Sequence, residues 1–291
     1  KVNRFEDVLV MLPAHTLTFA AHPYGVAQIP PAKWDDEDLA HPHLTGLEFW
    51  NGRSRKKALH TDNPFYEPGW TDPEELISRD NTRIKGLINF ANNKWDPHLQ
   101  RGVKEWEPDV LLPSRRPVFI AGTDAHGDFN YHVGMAVDYT KVGMIDDNAI
   151  GKVRTVIFLP DHQSAAVPGL DEILAALKKG CCVVTDGPII EFHLENNAQI
   201  AHMGDALLVT GDGEPVMKII AHSTPEFGPV TQVDVVTYFK GQKPKNPSLV
   251  AVKQGKKVKL DLAGAQGYIR LQAQSVGPEG ERFCCFTNPI W

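Results

Sequence analysis

Nowhere in the 291-residue chain is there a run of roughly eighteen apolar residues, so no segment reads as a membrane span. A basic tract is missing too. The formal charge is -6, and lysine pairs such as Lys178-Lys179 and Lys256-Lys257 read as solvated surface, which argues against nucleic acid as the main partner. Cysteine is scarce: its four copies form two adjacent pairs, Cys181-Cys182 and Cys284-Cys285. Neighbours on a strand face opposite ways, so each pair is badly placed for a vicinal disulfide or for sharing one ion. A bond between one cysteine of each pair stays open, while a role as small buried hydrophobes is favoured. The chain carries no serine nucleophile elbow, phosphate-binding loop or dinucleotide fingerprint, and no internal repeat. It shows no signal peptide and begins at Lys1 rather than methionine, so its localisation is unknown from this end.

What is present suits a globular protein. Hydrophobic residues make up 42% and charged residues 23%, enough apolar side chain for one large or two ordinary domains. Residues 1–190 read as alternating α/β. Strands are predicted at Thr16–Ala21, Leu44–Phe49 and Val118–Gly122, with helices at Ser78–Asn92 and Pro97–Gln100 and an irregular insert near 60–75. Gly169–Lys179 has helical spacing at Leu170, Ile173, Leu174 and Leu177, closed by Gly180 and followed by a strand at Cys181–Thr185. Asp186-Gly187-Pro188 marks a turn in which Gly187 is expected to supply a positive φ. Past 190, seven short segments between Gly, Pro and Asn turns predict a sandwich of immunoglobulin-like size: Ile189–Leu194, Ala206–Val209, Val216–Ala221, Gln232–Phe239, Lys257–Leu262, Gly267–Ser275 and Arg282–Thr287.

The chemistry-bearing residues gather at predicted strand ends. Phe-Ile-Ala-Gly-Thr-Asp-Ala-His-Gly ends an apolar run in Asp124 and His126, two residues apart and so on one face of an extended segment. A carboxylate and an imidazole so placed can close on one metal ion. Thr-Leu-Thr-Phe-Ala-Ala-His-Pro-Tyr-Gly delivers His22 in a similar position. Glu48 lies among apolar neighbours in Leu-Glu-Phe-Trp-Asn, where a carboxylate must be paired or shifted in pKa; it reads equally as a partner to a ligand histidine and as a ligand or base. His132, Asn51 and Asp186 are candidates for substrate contact, against roles in packing and turns. His41-Pro-His43 sits in a polar stretch and reads as a solvent loop.

The order His-Pro, then Gly-Leu-Glu-Phe-Trp-Asn-Gly, then Gly-Thr-Asp-Ala-His resembles the polymerase-and-histidinol-phosphatase (PHP) metallohydrolases. Ala-Leu-Lys-Lys-Gly-Cys-Cys-Val-Val-Thr-Asp-Gly-Pro and the ending Phe-Thr-Asn-Pro-Ile-Trp are similar to the carbaryl-hydrolase-type (CehA/McbA-like) branch, which carries a β-sandwich after its barrel. The resemblance implies a fold: the C-terminal part of a distorted (β/α)7 PHP barrel at 1–190, then an all-β immunoglobulin-like sandwich at 191–291. It also implies His22, Asp124 and His126 as metal ligands, Glu48 and Asp124 as catalytic residues, and two or three divalent ions, Zn, Mn or Fe. The family's opening His-x-His strand and its metal-bridging Glu strand are absent here, so the chain is expected to begin mid-barrel.

Hydrolysis by metal-activated water is the expected activity, with a phosphoester as the default small-molecule substrate and a carbamate, ester or amide as the variant of the CehA type. The competing expectation is a non-enzymatic carbohydrate- or protein-binding module with a degenerate PHP remnant. The oligomeric state is not legible.

Overall fold

A computed structural model describes residues 5–13, 15–21, 23, 37–51, 87–89, 91–122, 153–160, 167–209, 215–245, 248–250, 256–260 and 266–291. Thirteen strands and three α-helices occur among them, in three sheets. Strands β1 (Phe19–Ala20), β2 (Gly46–Asn51) and β3 (Val118–Gly122) form a parallel sheet in the order β1-β2-β3. Helix α1 (Phe5–Met11) precedes it, and a π-helical turn at Ala91–Trp95 runs directly into α2 (Asp96–Lys104). Gly46 sets the closeness of β2 to β3, because a β-carbon there would overlap the Val118 carbonyl.

The larger part of the chain is antiparallel. One six-stranded sheet runs β10-β9-β12-β13-β5-β4, from β4 (Arg154–Ile157), β5 (Cys182–Thr185), β9 (Val230–Phe239), β10 (Ser248–Val250), β12 (Gly267–Val276) and β13 (Arg282–Thr287). A four-stranded sheet runs β11-β8-β6-β7, from β6 (Ile189–Asn196), β7 (Gln199–His202), β8 (Val216–His222) and β11 (Lys256–Lys259). The two sheets face each other over a core that includes Phe192, Leu194, Met217, Ile219, Val233, Ile269 and Leu271. This is the predicted sandwich, although 206–209 is irregular and β7 and β10 carry no pattern strong enough to read.

The barrel expectation is overturned. A (β/α)7 barrel portion would continue the parallel sheet past β3, with Cys181–Thr185 as one of its strands. Instead β5 pairs antiparallel with β4 on one side and β13 on the other. Side chains, not a fourth strand, meet the outer edge of β3. The Asn288 amide accepts from the Phe119 N–H (2.8 Å) and donates to the Phe119 carbonyl (3.0 Å). Two residues on, Thr155 Oγ1 accepts from the Ala121 N–H (2.8 Å) and donates to the Ala121 carbonyl (2.9 Å). With those groups satisfied, β3 has no ladder left to offer there. The position 190 falls inside β6, and strands from both sides of it share the six-stranded sheet.

That sheet is buried on both faces. Ile269, Leu271 and Ala273 of β12 enter the sandwich core. The other face turns Tyr268, Arg270, Gln272 and Gln274 toward the parallel sheet and α2, and all four are buried. Val184, Val236, Cys284, Phe286 and Trp291 pack there against Phe49, Trp95, Leu99 and Phe119. Cys284 and Cys285 therefore enter different cores, as alternation requires, and all four cysteines are free thiols.

Helix α3 (Leu170–Lys179) fills the connection between β4 and β5. Gly180 ends it at φ 88°, where its N–H and that of Cys181 both bond the Ala176 carbonyl. Gly187 has no positive φ, contrary to expectation. A β-carbon there would lie 2.8 Å from the Phe227 ring and 2.9 Å from the Phe283 β-carbon, so close approach explains the glycine.

Candidate active site at the carboxyl edge of the parallel sheet

Because β1, β2 and β3 run parallel, the chain leaves all three at the same edge, after Ala20, Asn51 and Gly122. Glu48 is the described titratable residue of the candidate set on these strands. It sits opposite Ile120, half-buried, and its Oε1 would lie 3.5 Å from a β-carbon placed on Gly122. The carboxylate thus overlies the last residue of β3 at the edge where Thr123 and Asp124 follow.

A bulge shapes this edge. Glu48 pairs with Ile120 and Trp50 with Ala121, so Phe49 is the extra residue. The irregularity lets consecutive side chains both be buried: Phe49 is 0% and Trp50 2% exposed. Phe49 stacks edge-on to Phe119 (5.3 Å) and Phe286 (5.1 Å), and Trp50 packs on Phe286 at 6.4 Å. These rings anchor β2, which fixes the backbone that carries Glu48. Asn51 is the last residue of β2, opposite Gly122.

Asp186 approaches the same edge by another route. Asn288 ties Phe119 to Cys182 through a 3.0 Å bond to each carbonyl, and Thr155, opposite Val184, bonds Ala121. Strand β5 therefore advances alongside β3 in the same direction, and Asp186 comes just after its end. Its carboxylate is buried, and Oδ1 accepts the Cys284 N–H at 2.8 Å. Asp186 thus has a holding role, clasping β13 to the β5–β6 turn, which limits what it can offer a substrate.

Sequence reasoning did not single out Arg154, the first residue of β4, opposite Thr185. Thr155 turns its side chain to β3, so that of Arg154 turns to the other face, where Nη2 reaches the Gly187 carbonyl at 3.4 Å and the guanidinium covers the Phe227 ring at 5.7 Å. Only the register of β4 on β5 reveals this placement, and no local motif signals it. Asn288 was also missed as a positioning residue, although it lies within the Phe-Thr-Asn-Pro-Ile-Trp ending.

His22, Asp124, His126 and His132 lie outside the described residues. Among the described residues no group of three His, Cys, Asp or Glu side chains is arranged to hold a metal ion. No described helix is long and apolar enough to cross a membrane. Comparisons with family models, curated proteins and solved structures find no match for this chain.

Proposed function

We propose that the chain is a metal-dependent hydrolase whose site lies at the carboxyl edge of the three-stranded parallel sheet. One observation carries this reading: the central strand presents the half-buried Glu48 between two strand ends, Ala20 and Gly122, that precede His22, Asp124 and His126 by two to four residues. Neighbouring strands lie about 4.8 Å apart, so β1 and β3 are roughly 9.5 Å apart with Glu48 between them. Imidazole and carboxylate groups reaching in from the two sides can converge across that span. The donor set of imidazoles and carboxylates suits Zn, Mn or Fe, in a site of two or three ions. The motif order shared with the PHP hydrolases supports the reading without the barrel.

Bound divalent ions would supply a water acidified toward neutral pH and a Lewis acid for the scissile oxygen. The chain's own residues have separate tasks. Glu48 orients a ligand histidine or takes a proton from the attacking water, and the bulge at Phe49 holds it in place. A phosphoester is the default substrate, with a carbamate, ester or amide as the alternatives. Asp186, Asn288 and Thr155 fix the backbones that border the site.

The test is hydrolysis of chromogenic phosphomonoester, phosphodiester, carbamate and carboxylester substrates by chain stripped of metal and reloaded with Zn, Mn or Fe. Asp124→Ala and Glu48→Gln, checked for retained fold by circular dichroism, should each lose about 100-fold or more in turnover, as expected for losing a ligand or a base. Absence of metal-dependent turnover on all four substrates would favour a binding module instead. Such a module has its own concavity, a pocket of about 250 Å³ under the 106–111 segment, walled by Trp106, Tyr268 and Trp291.

A further inference from the structure

The opposite edge of the parallel sheet has a cavity of its own. It measures about 440 Å³ and is walled by the residues that lead into the strands, Thr18, Thr45 and Pro117, by the turn around His41 and His43, by α1, and by the last turn of α3. Its charges are lopsided. Among the described residues Arg115, Arg116, Lys178 and Lys179 line it against one carboxylate, Glu105, and Glu105 is bound to Arg101 outside the cavity at 2.7 Å.

Two of the four cations are already engaged. Lys179 pairs with Asp205 at 2.7 Å, and Arg115 donates to the Leu39 carbonyl at 2.9 Å beside His98. Arg116 and Lys178 have no anionic partner among the described residues. Arg116 is exposed at the surface, yet loss of part of its water lowers its pKa, with no anion among the described residues to offset that loss. Lys178 gains from the carbonyl end of α3, but that benefit does not require it to face a cavity. Threonine and serine hydroxyls at Thr16, Thr18, Thr45 and Ser114 supply neutral polar groups around the same space. The His43 N–H donates to His41 Nδ1 at 3.2 Å, which leaves the neutral ring's proton on Nε2 as a further donor.

We propose that this cavity binds the phosphate group of a small molecule, at a site separate from the hydrolytic edge. The planar fork of Arg116 and the point charge of Lys178 match the two ways proteins hold phosphate. The volume falls in the range of small-molecule sites, and the one carboxylate among the described lining residues, Glu105, is committed to Arg101, which limits repulsion. The cavity opens at the amino ends of β1–β3, so a ligand there touches the three segments whose far ends carry the proposed active site.

Calorimetric titration of the full chain with inorganic pyrophosphate tests this at constant ionic strength, alongside sodium chloride and sodium acetate. Wild-type chain should bind pyrophosphate, and the Arg116→Gln/Lys178→Gln double variant should lose at least tenfold in affinity without a change in melting temperature. Lys257→Gln, on β11, and Glu48→Gln, at the opposite edge, should bind as wild type does. Three results would overturn the proposal: no binding at millimolar pyrophosphate, equal binding by the double variant, or loss confined to Glu48→Gln. Equal affinity for acetate would also overturn it, by showing a site for carboxylates or for anions in general.

Discussion

Replacing Asp96 with alanine removes the anion from a fully buried ion pair, and the structure sets the size of the effect. Arg270 is 0% and Asp96 4% exposed, and they meet through two parallel bonds of 2.8 Å, Nε to Oδ1 and Nη2 to Oδ2. The guanidinium also donates to Asn92 (3.1 Å) and Gln272 (3.2 Å) and lies 4.7 Å over the Trp95 ring. Burial pulls the Arg270 pKa down, and Asp96 first, then Tyr268 and Asp234, carry it above its ordinary value. The variant loses the largest of these supports, while the intrinsic basicity of a guanidinium keeps Arg270 charged. A charge stranded in this way costs about 3–5 kcal/mol. A chain of this size loses roughly 2–4 °C in melting temperature per kcal/mol, so a fall of about 10 °C is expected. Urea unfolding followed by circular dichroism gives the free energy directly. The control is the double variant Arg270→Met/Asp96→Leu, which removes both charges and should recover most of the loss, ending within about 2 kcal/mol of wild type. If Asp96→Ala unfolds within about 1 kcal/mol of wild type, the pair does not carry the junction between α2 and β12 and the reasoning fails.

Further outcomes follow from the same contacts. Asn288→Ala strips the buried Phe119 N–H of its partner and takes one donor each from the Phe119 and Cys182 carbonyls, which keep the Cys182 thiol and the Asn288 backbone N–H, so a cost of about 2 kcal/mol is expected in urea unfolding. Burial pushes the Cys182 and Cys285 thiols up to about 12, so a thiol reagent at neutral pH should titrate none of the four cysteines in the native chain and all four in denaturant. Burial, aided by the neighbouring His193, lowers the His202 pKa below 6.5. The unfolded chain then binds more protons than the folded one, so stability is fully present above pH 6.5 and falls as the pH drops through the folded value. His202→Gln should flatten that part of a melting-temperature profile.

Local pattern carried much of the fold. Strand β3 spans the predicted Val118–Gly122, and α3 ends at Gly180 because a left-handed residue was needed there. The alternation in β9 and β12 was visible as well. What local pattern does not encode is the partner of a strand. Cys-Cys-Val-Val, apolar at every position, fits an inner strand of a parallel or an antiparallel sheet equally well, and the barrel expectation failed at that point. The polar positions of β12 look like a solvent face in sequence. They are buried because a third layer covers them, and only the contact of Arg270 with Asp96, 174 residues away, reveals it.

The candidate site was legible in part. Glu48 stood out as a carboxylate in an apolar run, and it does overlie the end of β3. Asn288 did not, since its hold on Phe119 is a contact across 169 residues of chain. Lys178 and His43 read as solvated surface, and both are exposed; that they also border a cavity depends on the fold, since charge and polarity in sequence say nothing about concavity.

Metal content of the purified, metal-supplemented chain, determined by elemental analysis with Asp124→Ala alongside, tests the central claim most directly. The account predicts two or three equivalents of Zn, Mn or Fe per chain, with at least one lost in the variant at unchanged fold. A well-folded chain that holds no metal, or a variant that holds as much as wild type, would contradict it.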